Sequence, residues 1–570
     1  MFSLNIGAAS GDAAVAAGTL NTPTLTFGDD TGTLVFNHTD SGYDFDTAII
    51  GHGTINHLAG ETSLSGNSFG FTGATEIAGG TLSVNGSLAG TVNVTAGTLG
   101  GSGVIDGTVS VTAGAVGAGN SPGHLVILGD LALTSGSSLE FELGVPAGVA
   151  GTDSDLITVG HNLVLDGTLN VTDAGSFGQG LYRLIDYHGT LTDNGLDLGD
   201  LPAGYAASDL DIQTAISGQV NLNVGVPTLF AYWDGTGAAG DDTITGGAGS
   251  WSTSATNWTL PDGSANGAYY HDTFLVFAGT PGVVSIDASG GAITTSAGMQ
   301  FASDGYVIDG DDLGITGDAT IRVGDGTSAG AGYEATIASN LTGTGSLTKT
   351  DLGTLTLTGD SSGFTGTTTL SEGDLNVDGV LGGTLTLAGG SLGGSGTLGT
   401  VVVTAGTLAP GHSVGTLNVG DISFGAGSTY AVELKDGGFA AGTNNDLINA
   451  TGTITLSGGT VTVAPENGTD DGSSYGEGTY TIASAAGGVT GRFDSVSDSY
   501  LFLDFSLGYD ANTVLLTSTR VADFASAADT PNQIATAGAV DGLASGHSLR
   551  DALLRVSTEV QAQVGYDALS

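Results

Sequence analysis

Two segments of this 570-residue chain fit the spacing G-x-S-x-G, placing Ser121 within 119–123 and Ser413 within 411–415. A hydrolase serine of that pattern sits between a strand and a helix whose N-terminus supplies the oxyanion hole. Here the residues that follow, 124–128 and 416–419, alternate as strands, and Pro122 would disturb a helix. Both segments read as turns. GDSSG at 359–363 partly fits a serine-protease loop, but it lacks the glycine directly after the serine and aligns with GNSFG at 66–70. In AGDDTITGGAG at 239–249, Asp241 and Asp242 with glycine carbonyls could supply hard oxygen ligands to calcium. A calcium roll shares such ligands between successive turns, and where the next turn needs an aspartate this chain has Ser250 and Trp251. DGDD at 309–312 reads as a solvated loop, with weak calcium binding as the sharper alternative. His52 and His57, five residues apart among glycines, do not make a metal fork. Trp233, Trp251 and Trp258 would bind sugars if exposed, but crowded into one segment they read as packing. The sequence therefore assigns no catalytic, cofactor-binding or metal-ligating residue, and the protein reads as a non-enzyme without cofactor.

The elements around these residues repeat one theme. Four-residue cores alternate Thr or another polar residue with an aliphatic: TLSV at 81–84, TVNV at 91–94, TVSV at 108–111, TLTL at 384–387, TLNV at 416–419 and TVTV at 460–463. Each is closed by Gly, Asn, Asp or another turn former, the pattern of half-buried strands. Strands this short cannot each form a sheet. Stacked coils, in which each strand pairs with the coils above and below, would bury the Leu and Val face as one continuous column. Rungs of roughly 20 to 25 residues rising about 4.8 Å each would make a rod on the order of 100 Å long. The predicted fold class is thus all-β, an elongated parallel β-helix, with a short helical segment at the C-terminal end.

Composition narrows the function classes. Glycine numbers 102, yet without the strict three-residue period of collagen. With 39% hydrophobic and 12% charged residues and a mean hydropathy of +0.21, the chain is not composed like a disordered one. Eight basic against 58 acidic side chains give a formal charge of −50, which leaves too few cations to follow a phosphate backbone. Nucleic acid is excluded as a partner. Zero cysteine excludes a disulfide framework and thiolate chemistry. Residues 1–20 hold no Lys or Arg, so they do not read as a secretory signal, and no apolar run of about 18 residues reads as a membrane span.

A longer repeat lies over the short one. Residues 80–103 align without gaps to 373–396, an offset of 293, with 13 of 24 positions identical. GFTG at 70–73 returns at 363–366, and SDLI at 154–157 returns as NDLI at 445–448. The chain reads as an internal duplication of about 290 residues, divided into a first block at 1–228, a second at 229–522 and a helical linker at 523–570.

The run LTKTDLGTLTLTGDSSGFTGTTTLSEGDLNV at 347–377 resembles the passenger-associated strand repeat of autotransporters. TLAPGHSVGTLNVGDISF at 407–424 is similar to the proline-containing rungs that follow it, and YWDG at 232–235 with GSWSTSATNWT at 249–259 looks like the opening of another passenger block. In the tail, TPNQ at 530–533 is a good helix start, with Thr530 as N-cap and Pro at the first position. Leu549, Leu553 and Val556 beyond it have helical spacing. That tail resembles the linker leading into an outer-membrane barrel. The resemblance implies a right-handed β-helix and a surface-exposed or secreted stalk of a Gram-negative cell with an adhesin role. Its implied partners are its own outer-membrane barrel and host or bacterial surface ligands. It also implies a signal sequence and a barrel, neither of which reads within 1–570, so the chain is expected to be a passenger fragment without the caps that protect its end rungs. The alternatives are a calcium-binding β-roll-like exported protein and a passenger carrying hydrolase activity.

Overall fold

The structure, a computed structural model, describes residues 2–570 except 29–31, 120, 146–149, 176, 179, 226–230, 236, 270, 272, 436–437, 467–476 and 499. It divides into two units: 1–247 with 255–281 and 324–330, and 248–254 with 282–323 and 331–570. Both are parallel β-helices. The alternation read from the sequence is what shapes them, because in a strand successive side chains point to opposite faces. In Thr354–Leu357 the two leucines point inward and the two threonines outward.

Stacking is in register. In the second unit Leu355 lies on Leu375, Leu375 on Leu392, Leu392 on Leu408, Leu408 on Tyr430 and Tyr430 on Val461, all at most 1% exposed. In the first unit Val92 lies on Val109, Val109 on Leu131 and Leu131 on Leu163, all fully buried. Burying each Val or Leu in such a column is favourable by about 1.5–3 kcal/mol relative to leaving it exposed.

Three features differ from the sequence expectation. Rung length is not fixed at 20–25 residues: Thr75, Val92 and Val109 succeed one another at intervals of 17, whereas Leu131 and Leu163 are 32 apart. A 17-residue rung is nearly all strand, and longer rungs carry outward loops. Strands also run through corners, so that Ile422–Leu434 spans 13 residues. Finally, the parallel ladder gives way to antiparallel hairpins. In the first unit Leu210–Gln213 and Gln219–Val224 pair antiparallel, the latter against Gly180–Tyr187. In the second Leu503–Tyr509 and Thr513–Arg520 do the same, the latter against Gly478–Ala485. A hairpin occupies the last strand's open edge and so caps it.

Helices α1 (Pro531–Asp541), α2 (Ser548–Leu554) and α3 (Glu559–Leu569) follow the second hairpin. Thr530 accepts from the Gln533 N–H at 3.2 Å while Gln533 accepts from the Thr530 N–H at 3.2 Å, the reciprocal cap read from TPNQ. The spacing of Leu549, Leu553 and Val556 does not mark one helix: α2 ends at Leu554, Leu553 is buried and Leu549 faces outward. Among the described residues no helix is long and apolar enough to cross a membrane.

Glycine works at the corners by close approach. A Cβ on Gly366 would stand 1.9 Å from the Gly345 carbonyl oxygen of the rung below, whereas one on Gly332 would meet nothing within 4 Å. Gly366→Ala should therefore lower unfolding stability by about 1–3 kcal/mol, and Gly332→Ala should stay within about 0.5 kcal/mol of the parent, both read by denaturant titration of the circular dichroism signal.

Candidate functional site

Ser413 and His412 lie in a turn beside a cavity of about 320 Å³ lined also by Asp374, Asn376, Glu433 and Asp446. Sequence neighbours, they engage different carboxylates. His412 Nε2 lies 2.9 and 2.8 Å from the two oxygens of Asp378, and the Ser413 hydroxyl donates to Glu466, which also receives Lys435 at 3.2 Å. No hydrogen bond joins Ser413 to a histidine among the described residues, and the strand Thr416–Val419 follows instead of a helix. Ser121 has a left-handed φ of +74° in the equivalent turn of the first copy, where Asn120 lies outside the described residues. Ser361 of GDSSG is 2% exposed and accepts the Leu341 N–H at 2.8 Å. A general base within reach of the hydroxyl is the first requirement for a serine nucleophile, and the Ser361 and Ser413 hydroxyls are instead used in contacts with other rungs.

The acidic candidates are engaged in hydrogen bonds of their own. Asp241 accepts from the backbone and hydroxyl of Thr243 at 3.2 and 2.6 Å. Asp309 accepts from Ser285, Asp311 from the Ala288 N–H and Asp312 from Asn340, so the DGDD carboxylates reach different neighbours. Among the described residues no group of three or more His, Asp or Glu is arranged to hold a metal ion. Trp233, Trp251 and Trp258 are fully buried, and Trp233 donates to the Gly247 carbonyl at 2.7 Å.

His52 and His57 part company: His52 points outward toward the Thr72 carbonyl, and His57 points into the core. The spatial partner of His57 is His38, one rung earlier, and both rings lie on the Thr62 hydroxyl at 3.0 and 2.8 Å. The sequence reading missed His38 because 19 residues separate it from His57, a distance that only a known rung length would make visible.

Several of the scarce cations are turned inward. Arg183 is 3% exposed and donates to Asn221 at 2.7 Å, to Asp186 and to Asp325 at 3.3 Å, all within the first unit. Arg322, 2% exposed, meets Asp351 at 3.1 Å in the second. Beside it Lys349 extends into the apolar column and donates to the carbonyls of Thr350, Asp351 and Glu372 at 3.0, 2.7 and 3.1 Å. Burial lowers the Lys349 ammonium to about 8 and raises the Asp351 carboxyl to about 6, in each case against the attraction of the opposite charge.

The two copies share contacts as well as residues. Asp155 accepts the N–H groups of Gly123 and Glu142 at 2.7 and 2.8 Å; Asp446 accepts those of Gly415 and Glu433 at 2.8 Å each. Burial pushes these carboxyls up to about 7 and about 8, against the pull of the N–H groups. Ser68 and Ser361 each accept one backbone N–H of the preceding rung, from Ile49 and Leu341. The sequence analysis used SDLI and NDLI only as repeat landmarks; their aspartates are these rung clips.

The family model of the passenger-associated-transport-repeat matches residues 59–84 and 347–377. Over 264 residues the chain is 48% identical to the Adhesin BmaC autotransporter of Brucella suis biovar 1 (strain 1330), covering 45% of this chain and 8% of that protein. Over 215 residues it is 37% identical to an Extracellular serine protease of Serratia marcescens, covering 36% of this chain and 20% of that protein. The chain thus spans a fifth or less of the length of these relatives. The two repeats on parallel β-helices and these partial similarities support an autotransporter passenger domain with a cell-surface or secreted location.

The buried charges generate a stability prediction. Asp351→Asn removes the carboxylate facing Arg322 and Lys349, and should cost about 3–5 kcal/mol because a buried charge is left uncompensated. Asp312→Asn, in an exposed loop, should stay within about 0.5 kcal/mol of the parent. Urea unfolding of the two variants measures the difference.

Proposed function

We propose that this chain is the non-enzymatic stalk of a surface passenger and that it has an adhesin role. It comprises passenger blocks at 1–228 and 229–522 and a linker at 523–570 that leads toward an outer-membrane barrel. The observation that supports the reading best is that the hydroxyls and carboxylates with chemical spacing serve as contacts within and between rungs, in a chain 48% identical over 264 residues to a protein named as an adhesin. A continuous ladder carries load along its strands, and the outward carboxylates keep neighbouring copies apart and soluble. Its ligands are surface groups on host or bacterial cells. Displayed on a non-adherent bacterium through an outer-membrane barrel, the chain should raise attachment to cultured host cells or to sister bacteria several-fold over the barrel alone. Attachment equal to that of the barrel alone removes the adhesin role.

Hydrolase activity is the second reading, favoured by the 37% identity to an extracellular serine protease. A fluorophosphonate probe separates the two. The stalk reading predicts no labelling of Ser121, Ser361, Ser362 or Ser413, and stoichiometric labelling of any of them overturns it.

A further inference from the structure

The position that Lys349 occupies in the second copy is occupied by His57 in the first. Lys349 stacks on Leu370 and His57 on Ile77, and Leu370 and Ile77 are equivalent at the repeat offset of 293. The equivalence extends to the acceptor. Lys349 Nζ donates to the Glu372 carbonyl at 3.1 Å, and His57 Nδ1 lies 2.7 Å from the carbonyl of Gly79, the counterpart of Glu372. Each copy thus places one basic side chain in its apolar column and aims it at the same inward-turned carbonyl.

The two sites differ in how they tolerate charge. Around Lys349 stand Asp351, Asp374 and Glu372, and the ammonium donates three hydrogen bonds to carbonyls. Around His57 there is no such set. A carbonyl can only accept, so His57 Nδ1 carries the proton, and its Nε2 is left to accept from the Thr62 hydroxyl in the neutral ring. Thr62 has one proton to give and also contacts His38 Nε2, so the two rings share a single hydroxyl with centroids 6.3 Å apart. Where the second copy has Leu355 at the offset of 293, the first has this Thr62.

The other charged groups near these rungs face elsewhere. Asp44 receives the Ser65 hydroxyl, Glu76 receives Asn93, and Glu61 is exposed; Tyr43 packs its ring against His38 at 5.2 Å. Asp40 is the carboxylate that acts on His38, and its Oδ2 accepts the Ala17 N–H at 3.2 Å. Both histidines are fully buried.

We propose that the His38, Thr62 and His57 cluster is an acid-sensitive latch, which holds the rungs Gly32–Asn37, Thr54–Ala59 and Glu61–Leu64 closed at neutral pH and releases them in mild acid, while the Lys349 position keeps the equivalent rungs of the second copy closed. Two rings around one hydroxyl cannot both carry charge without placing like charges side by side in the apolar column. Burial lowers both histidines, His57 to about 4. A base held neutral in the folded state contributes its full stability above its unfolded value of 6.5, and loses that contribution as the pH falls from 6.5 toward 4. Lys349 is already charged throughout this window, and the Asp351 carboxyl beside it, raised to about 6, takes up its proton more readily in the folded state, so acid does not loosen this site through it.

Hydrogen exchange of the intact chain at pH 7.5 and pH 5.0, corrected for intrinsic rates and read by mass spectrometry, tests the latch. Peptides within 33–64 should lose protection on the order of thirty-fold at pH 5.0, the factor that a fall from 6.5 to about 4 gives for one ring. Peptides within 347–370 should keep theirs. His57→Gln, which retains a donor for the Gly79 carbonyl without titrating, should remove most of the pH difference. Unchanged protection of 33–64, or an equal loss in both regions, overturns the proposal. The wild-type comparison decides the question even if the variant does not fold.

Discussion

Each inward side chain in this protein rests on the inward side chain of the next rung, and that in-register stacking governs the rest of the structure. It makes the core a set of columns, such as Leu355, Leu375, Leu392 and Leu408, in which each residue rests on its partners above and below. It brings backbones so close at the corners that the Gly366 position lies within Cβ clash distance of the Gly345 carbonyl. It also sets what polar side chains do. A serine or aspartate between rungs finds a backbone N–H of the preceding rung within reach, as Ser361 finds Leu341 and Asp446 finds Gly415. Groups engaged in this way hold rungs together, which is the physical basis for the proposed stalk.

The charge balance takes its meaning from the same constraint. A chain with 8 cations and 58 acids could have spread the cations over its surface to temper the repulsion. Instead Arg183, Arg322 and Lys349 are buried against carboxylates or carbonyls. Near the helices Arg550 and Arg520 pair with Glu477 and Asp541, and Arg520 also covers the Phe524 ring at 4.2 Å. Buried ion pairs add little net stability, but removing one partner is costly, so they fix a local arrangement more than they strengthen it. What remains outside is mostly acidic, which favours repulsion between like molecules.

Much of the fold was legible because its signal is local. Alternation in TLSV or TLTL fixes the inward face of a strand whatever lies above it, and TPNQ caps a helix from within four residues. What joins one rung to another was not legible, because the interval between stacked residues varies from 16 to 35 and no residue announces it. Hence His57 could be paired on paper with His52, five residues away, when its partner is His38, and the 29 residues between Arg322 and Asp351 concealed a buried ion pair. The closing hairpins were hidden for a related reason: Gln219–Val224 alternates like any other strand, and only its pairing reverses. Against this, the repeat offset carried more than the sequence reading drew from it, since contacts found in one copy locate their counterparts in the other.

The measurement that tests the stacking most directly uses the absence of cysteine. Thr356 and Asn376 are outward-facing register partners on adjacent rungs, at a spacing a disulfide can span. The account predicts that Thr356→Cys with Asn376→Cys crosslinks rapidly under mild oxidation in the folded protein, while Thr356→Cys paired with Asp374→Cys or Asp378→Cys crosslinks slowly. Equal rates for the three pairs, or a preference for either offset pair, would contradict it.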